Sequence, residues 1–350
     1  VAYKKKVKEE EIITEESLED TELPQKTESQ ILIPKLPFDV DELVSQAKNR
    51  FGKDQKKSMK RACDIVVSQD KKDYVTSDEI AAIWKPLTGV WGAPFGRIVQ
   101  ISGKTDSGKS TLGMMFVAAA QKSGYLATVW DSEAKFDSNR LKKHFGGDPS
   151  QIPISTSKII AVGSSEILSF VRTVKEKHPK QKILILWDSV GATLNSGQDS
   201  ENDDMSKQPG VTARENTWAI GRFSQVVEKY RDPDTDDYTI AMVMINQVYA
   251  NIGSVGSVEK GGGGIQYLSS AIIQMTRKND TFITRGGVQY KNGIMTDARV
   301  KKNHVMSGDD TIARMSLFVG ANGVFLEKPG GNKKKSGSGE DEEVEEENDE

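Results

Sequence analysis

The chain of 350 residues has a single cysteine, Cys63, so no internal disulfide can form and a reducing compartment is expected. No apolar stretch approaches the 18 residues that a membrane-spanning helix needs. The charged start carries no apolar core of the kind a secretory signal requires. These absences predict a soluble protein of the cytoplasm. No internal repeat is visible. Both ends also have few large apolar groups: residues 1–38 carry mainly Lys, Glu, Thr and Pro, and residues 329–350 form a Gly/Lys/Ser linker followed by an acidic run. Both are predicted to be disordered. The remaining body of roughly 290 residues suits one large α/β core with a small N-terminal appendage.

Charge is unevenly placed along the chain. The last eleven residues hold nine acidic groups, and residues 1–23 hold four lysines against eight acidic groups. Setting those aside from a net charge of −3 leaves +10 on the body. A basic body with an acidic tail points to a polyanionic partner for which the tail competes, or to a tail that only maintains solubility.

What is present is a phosphate-binding signature. Gly103, Lys104, Thr105, Asp106, Ser107, Gly108, Lys109 and Ser110 fit G-x-x-x-x-G-K-[ST], followed by Thr111. The segment lies between an apolar strand, Ile98–Ser102, and an Ala/Met-rich helix, Ser110–Lys122. Glycines permit the tight turn, inward amides meet phosphate oxygens, and the helix N-terminus adds partial positive charge. Lys109 is expected to neutralise the β/γ oxygens and the Ser110 hydroxyl to ligate Mg²⁺. ATP or GTP is therefore the expected ligand.

Before that motif, Asp41–Ala62 has helical periodicity with many lysines, Ile65–Val67 is a short strand candidate, and Ser77–Lys85 is a short helix that Pro86 should end. After it, short apolar strands alternate with helices, which predicts a mainly parallel sheet covered on both faces. The strands are Tyr125–Trp130, Lys182–Trp187, Thr239–Asn246, Ser270–Thr276 and Ala298–Lys301, with a closing hairpin of Arg314–Val319 and Gly323–Leu326. The helices are 139–144, Ser164–Lys177 and Val211–Arg231. Two polar or Gly-rich stretches, 193–210 and 248–264, leave the sheet at strand ends, where open α/β sheets bind ligands. Gly261–Gly264 suits a hinge.

Asp188 follows the most hydrophobic strand and is expected to hold Mg²⁺ through water, with Ser189 as its neighbour. Glu133, two residues past Asp131 at the end of the adjacent strand, is placed to orient and deprotonate a water.

Four ordered segments carry a family resemblance over residues 40–327: Gly96–Gly103 running into the phosphate loop, Trp130-Asp131-Ser132-Glu133 with Asp137 beyond, Leu186-Trp187-Asp188-Ser189-Val190, and Met244-Ile245-Asn246-Gln247-Val248. In these the chain resembles the RecA-type recombinases of the bacterial RecA and phage UvsX kind. The tails and the compact end after Leu326 favour the phage type. The resemblance implies a RecA-like P-loop ATPase core, α/β with a mainly parallel central sheet. It implies divisions at 1–38 (disordered), 39–92 (N-terminal oligomerisation segment), 93–328 (ATPase core) and 329–350 (linker and acidic tail).

It further implies that Glu133 is the catalytic base, that Gln247 senses the γ-phosphate and reports to the following loop, and that Asp137 lies near the adenine. Residues 194–210 and 248–264 correspond to two DNA-binding loops. Lys302 corresponds to a cation acting in trans on the neighbour's γ-phosphate. Two departures stand out: His304 replaces a second lysine, and Arg140 replaces an adenine-stacking aromatic, although a guanidinium plane can stack.

The loops hold few basic groups, Lys207, Arg214 and Lys260, so phosphate neutralisation there would draw on backbone amides and the basic body. Tyr249, Ile252 and Val255 either stack on bases or are ordinary loop residues. The function implied is an ATP- and Mg²⁺-dependent homologous recombinase. It would form helical homo-oligomeric filaments on single-stranded DNA, exchange strands with duplex DNA, and be served by mediator and single-strand-binding proteins. A hexameric helicase on the same core and an ATP-gated DNA loader are the alternatives.

Overall fold

A computed structural model describes residues 70–199, 208–250, 257–259, 262–285, 287–305 and 311–326. The predicted helix 41–62, the strand 65–67, both tails, and Lys207, Ile252, Val255 and Lys260 lie outside the described residues. The compact unit that holds the described residues begins at Val67.

Its centre is one sheet in the order β12-β11-β10-β9-β3-β7-β6-β4-β5, with β8 paired to β7. The strands are β3 Ile98–Gly103, β4 Leu126–Asp131, β5 Ile154–Ser155, β6 Ile183–Asp188, β7 Ile240–Ala250, β8 Ser257–Glu259, β9 Ala271–Arg285, β10 Val288–Asn303, β11 Arg314–Gly320 and β12 Gly323–Leu326. Every pairing from β9 through β3, β7, β6 and β4 to β5 is parallel, and the pairings from β9 to β12 are antiparallel. A separate small sheet joins β1 Tyr74–Val75 to β2 Ala93–Pro94.

The parallel strands are apolar on both sides because each side faces its own core. In β6, Leu184 and Leu186 enter one core while Ile183, Ile185 and Trp187 enter the other. Helices α1 Asp78–Thr88 and α2 Lys109–Lys122 cover the first face, and α3 Ile160–Lys177 and α4 Gln208–Lys229 cover the second. On the second face Trp130 and Trp187 stack with ring centroids 4.2 Å apart. Such a pair contributes about 0.5–1.5 kcal/mol beyond its buried area. Gly163 of α3 lies against them: a Cβ there would sit 2.3 Å from the Trp130 ring, so only glycine lets the helix approach.

Several elements differ from the sequence reading. Ser77 caps α1 as expected, accepting from the Ile80 amide at 3.3 Å, but Pro86 does not end the helix. The helix runs on to Thr88 because Leu87 and Thr88 are fully buried and the Thr88 hydroxyl donates to Trp84 O at 2.8 Å. Gly89, with φ 80°, closes it by donating to Lys85 O. Residues 74–90 also supply Tyr74, Ile80, Ile83, Trp84 and Leu87 to the same core as α2, so packing runs without a break across the boundary expected at 92.

Helix α3 begins at Ile160 rather than Ser164, since Ile160 and Gly163 are already buried. The strands predicted at 270–276 and 298–301 are parts of a much longer hairpin, β9–β10, whose polar far half is held by backbone pairing such as Tyr290 with Ile283. The stretch from 248 does not leave the sheet at once: β7 continues to Ala250 and pairs with β8. Where a hinge was expected, Gly263 begins helix α5, Gly263–Leu268. A Cβ on Gly264 would sit 2.3 Å from the Thr217 side chain, so that glycine serves close packing of α5 on α4. No described helix is long and apolar enough to cross a membrane.

Candidate nucleotide site

Register brings the site together. Gly103 at the end of β3 is level with Gln247 on β7, Asp131 of β4 is level with Asp188 of β6, and Asp188 is level with Ile245. Four parallel strands thus deliver their carboxyl ends to one place, beside the N-terminus of α2.

Between β3 and α2 the loop folds as a phosphate cradle. Gly103 lies so close to β9 that a Cβ would meet Met275 O at 2.3 Å, and Gly108, with φ 94°, precedes the first turn of α2. The loop is tied from behind, where the Thr296 hydroxyl donates to Ser107 O at 3.1 Å. Lys109 is buried, and its ammonium donates to Lys104 O at 2.6 Å. Burial holds its pKa below the ordinary lysine value, against the pull of Asp188, Glu133 and Asp106. An anion in the cradle would restore the charged form.

Ser110 and Asp188 line one chamber at the cradle mouth, where the hydroxyl favours the charged carboxylate. Burial pushes the Asp188 carboxyl up to about 6; the Ser110 hydroxyl opposes this, while Glu133 and Asp131 add repulsion. Hard oxygen donors carrying excess negative charge fit a Mg²⁺ ion, which would ionise Asp188 fully. Among the described residues no set of three His, Cys, Asp or Glu side chains forms a metal cluster by itself. A phosphate-loop magnesium needs none, because hydroxyl, phosphate and water supply most ligands.

Beside this pair a partly open chamber of about 30 Å³ lies between Ser110, Asp131, Glu133, Lys135 and Asp188, with room for a water. Glu133 forms one wall. Its Oε1 accepts from Ser189 Oγ at 2.5 Å and from Gln247 Nε2 at 2.7 Å, and its Oε2 pairs with Lys135 at 2.9 Å. Burial raises its pKa, but the bonds from Ser189, Lys135 and Gln247 together outweigh this and leave it below the ordinary glutamate value. Ser189, expected beside Asp188, therefore serves Glu133 instead. Asp131 shapes the turn, accepting from the Phe136 amide at 2.7 Å. Ser132 donates to Ser189 O at 2.7 Å and so locks the ends of β4 and β6 together.

The other expected residues divide. Asp137 accepts from the Arg140 amide at 2.9 Å and caps the helical turn Ser138–Arg140. The Arg140 guanidinium reaches the β11–β12 turn, donating to Gly320 O at 3.0 Å and Ala321 O at 3.3 Å. Lys104, Thr105 and Asp106 are exposed on the loop, and Thr111 is buried within α2. Lys302 does not line the chamber of its own chain; it donates to Gln266 O and Tyr267 O at the end of α5. Arg214 is exposed on α4, and Tyr249 is exposed just past Gln247. Sequence reasoning missed Lys135, whose partner stands two residues away, and the Tyr249 hydroxyl, which donates to Gln247 Oε1 at 2.5 Å.

A phosphate loop, a strand-end carboxylate beside its Ser110 and a second carboxylate on the neighbouring strand define a P-loop nucleotide-binding core of the α/β class. Residues 39–321 match the model of the RecA N-terminal domain, and the chain belongs to that family. Among its relatives, the protein RecA of Mesoplasma florum is 29% identical over 216 residues, covering 61% of this chain and 58% of its own. The protein RecA of Aquifex aeolicus is 28% identical over 263 residues, covering 74% and 68%. The chain thus spans less than two thirds of the length of the first of these relatives.

Proposed function

We propose that the chain is an ATP-dependent homologous recombinase that assembles on single-stranded DNA and pairs it with a homologous duplex. The observation that carries this reading is the Gln247–Glu133 hydrogen bond, which joins the hydrolytic carboxylate to the strand leading into the second loop. A switch residue in that place lets nucleotide occupancy and loop conformation bias one another.

In this reading the loop amides and Lys109 hold the β- and γ-phosphates, and Glu133 accepts the proton of the attacking water once a lone pair is freed. Ser110 and Asp188 would hold Mg²⁺, which would neutralise charge on the phosphate oxygens. Asp137, Arg140 and the turn at 320–322 border the base. Arg214 and Tyr249 meet the DNA, joined by Lys207, Ile252, Val255 and Lys260 from outside the described residues. Lys302, at the end of β10, reaches the neighbour's γ-phosphate in trans. Two features support assembly: Lys302 stands apart from its own chain's chamber, and among the described residues the two-residue β5 is an edge strand paired with β4 alone, which suits strand addition by the 65–67 segment of another copy.

The deciding measurement is ATP turnover with and without single-stranded DNA, followed by a strand-exchange assay. The wild-type chain is expected to show DNA-stimulated turnover and exchange, and Lys109→Ala to lose at least about a hundredfold in turnover. Turnover indifferent to DNA, or closed rings in place of open helical filaments by electron microscopy, would overturn the reading in favour of another motor.

A further inference from the structure

We infer that the Tyr249 hydroxyl is a positioning group for the hydrolytic site: it turns the Gln247 amide onto Glu133 when no DNA is bound, and a strand that stacks on the Tyr249 ring withdraws it. This rests on the ATPase reading above and gives a route by which DNA accelerates turnover.

An amide side chain has an accepting end and a donating end. With the Tyr249 hydroxyl donating to Gln247 Oε1 at 2.5 Å, the Nε2 end is left to face Glu133, where it donates at 2.7 Å. Glu133 already accepts from Ser189 on the same oxygen and pairs with Lys135 on the other. A carboxylate so engaged is stabilised as an anion and is a weaker proton acceptor than a free one. Releasing Gln247 returns a lone pair of Oε1 to the chamber. The arrangement is therefore a resting one, and the phenol sets it.

Strand geometry explains why Tyr249 can do this. It lies two residues beyond Gln247 on β7, so both side chains project from one face. Its backbone is held opposite Val258 in the β7–β8 hairpin. On its other side Gln247 lies along Gly191, where a Cβ would sit 3.0 Å from its Cβ, 3.1 Å from its Cγ and 3.3 Å from its Cδ, so the glycine leaves room for the whole side chain to shift. Tyr249 as a residue is 47% exposed, so a base can reach its ring, and before DNA binds its hydroxyl is engaged within the site. Burial, with the charge of Glu133, pushes the phenol pKa up, so it remains a donor at neutral pH. Stacking that shifts the ring stretches a bond whose angular and distance limits are narrow.

The test uses the full chain with Mg-ATP, with and without a poly-dT oligonucleotide. Tyr249→Phe keeps the ring and removes the donor. It is expected to raise DNA-free kcat about fivefold, the factor set by one ordinary hydrogen bond, with KM for ATP unchanged. The ratio of DNA-stimulated to DNA-free turnover should fall accordingly. Tyr249→Ala should raise DNA-free kcat to the same degree and, unlike Tyr249→Phe, weaken oligonucleotide binding. A DNA-free kcat of Tyr249→Phe equal to wild type, or a KM that moves with kcat, overturns the inference while leaving DNA-stimulated ATPase activity in the wild type intact. A wild-type chain that turns over no ATP overturns both readings.

Discussion

The two halves of the central sheet obey different rules. From β3 through β7, β6 and β4 the strands are parallel and buried on both faces, so almost every side chain is chosen by packing until the carboxyl end is reached. There polar groups appear together: Asp131, Asp188, Asn246 and Gln247. From β9 to β12 the strands are antiparallel, and the far end of the β9–β10 hairpin leaves Phe282, Val288 and Tyr290 more than half exposed. A sheet sealed on both faces has only its strand ends left for chemistry, whereas a hairpin reaching into solvent can scatter polar and apolar groups along its length.

The comparison breaks most easily at the sealed face. Gly163→Val drives a branched side chain into Trp130 and is expected to cost on the order of 3 kcal/mol, read as a lower urea midpoint at unchanged slope. A variant as stable as wild type would show that the α3–tryptophan contact does not constrain that face.

A smaller effect is expected at the strand end. The folded protein holds the Asp188 proton up to about pH 6, against an ordinary carboxyl value of 3.8. The folded state thus binds that proton more tightly than the unfolded chain, so this carboxyl destabilises the fold increasingly as pH rises from about 4 to 6. Asp188→Asn should raise the stability of nucleotide-free protein by roughly 2–3 kcal/mol above pH 6 and change little below pH 4. The same variant should lose Mg-nucleotide binding. Thermal melts across pH settle the first point, since a pH-independent gain would assign it to packing instead.

The smallest effect belongs to the open half. Phe282→Ser and Tyr290→Ser should each shift stability by less than about 0.5 kcal/mol, because the wild-type rings bury little. Chemical denaturation measures this, and a loss above 1 kcal/mol would mean that the hairpin is packed like the sealed half.

Legibility followed the same division. The strands β3, β4, β6 and the first half of β7 were readable because a buried parallel strand is a continuous apolar run, and the phosphate loop because its geometry demands glycines at set positions. The far half of β9–β10 was not readable, since residues such as Lys278, Asn279 and Asp280 have no strand preference and are held there by pairing across the hairpin. Pro86 misled because burial of Leu87 and Thr88 outweighs the hydrogen bond that a proline forfeits. Ser189 was assigned to Asp188 by adjacency, although its hydroxyl faces the end of a different strand.

The amino-acid order by itself determined the chemical parts: a strand, a glycine-bearing loop and a helix start are made from neighbouring residues, and local backbone preferences suffice to build them. The meeting of Gln247 with Glu133, 114 positions apart, was decided only by the tertiary structure. That meeting depends on β7 and β4 flanking β6 in register, an order set by the burial of two cores rather than by any preference within either segment.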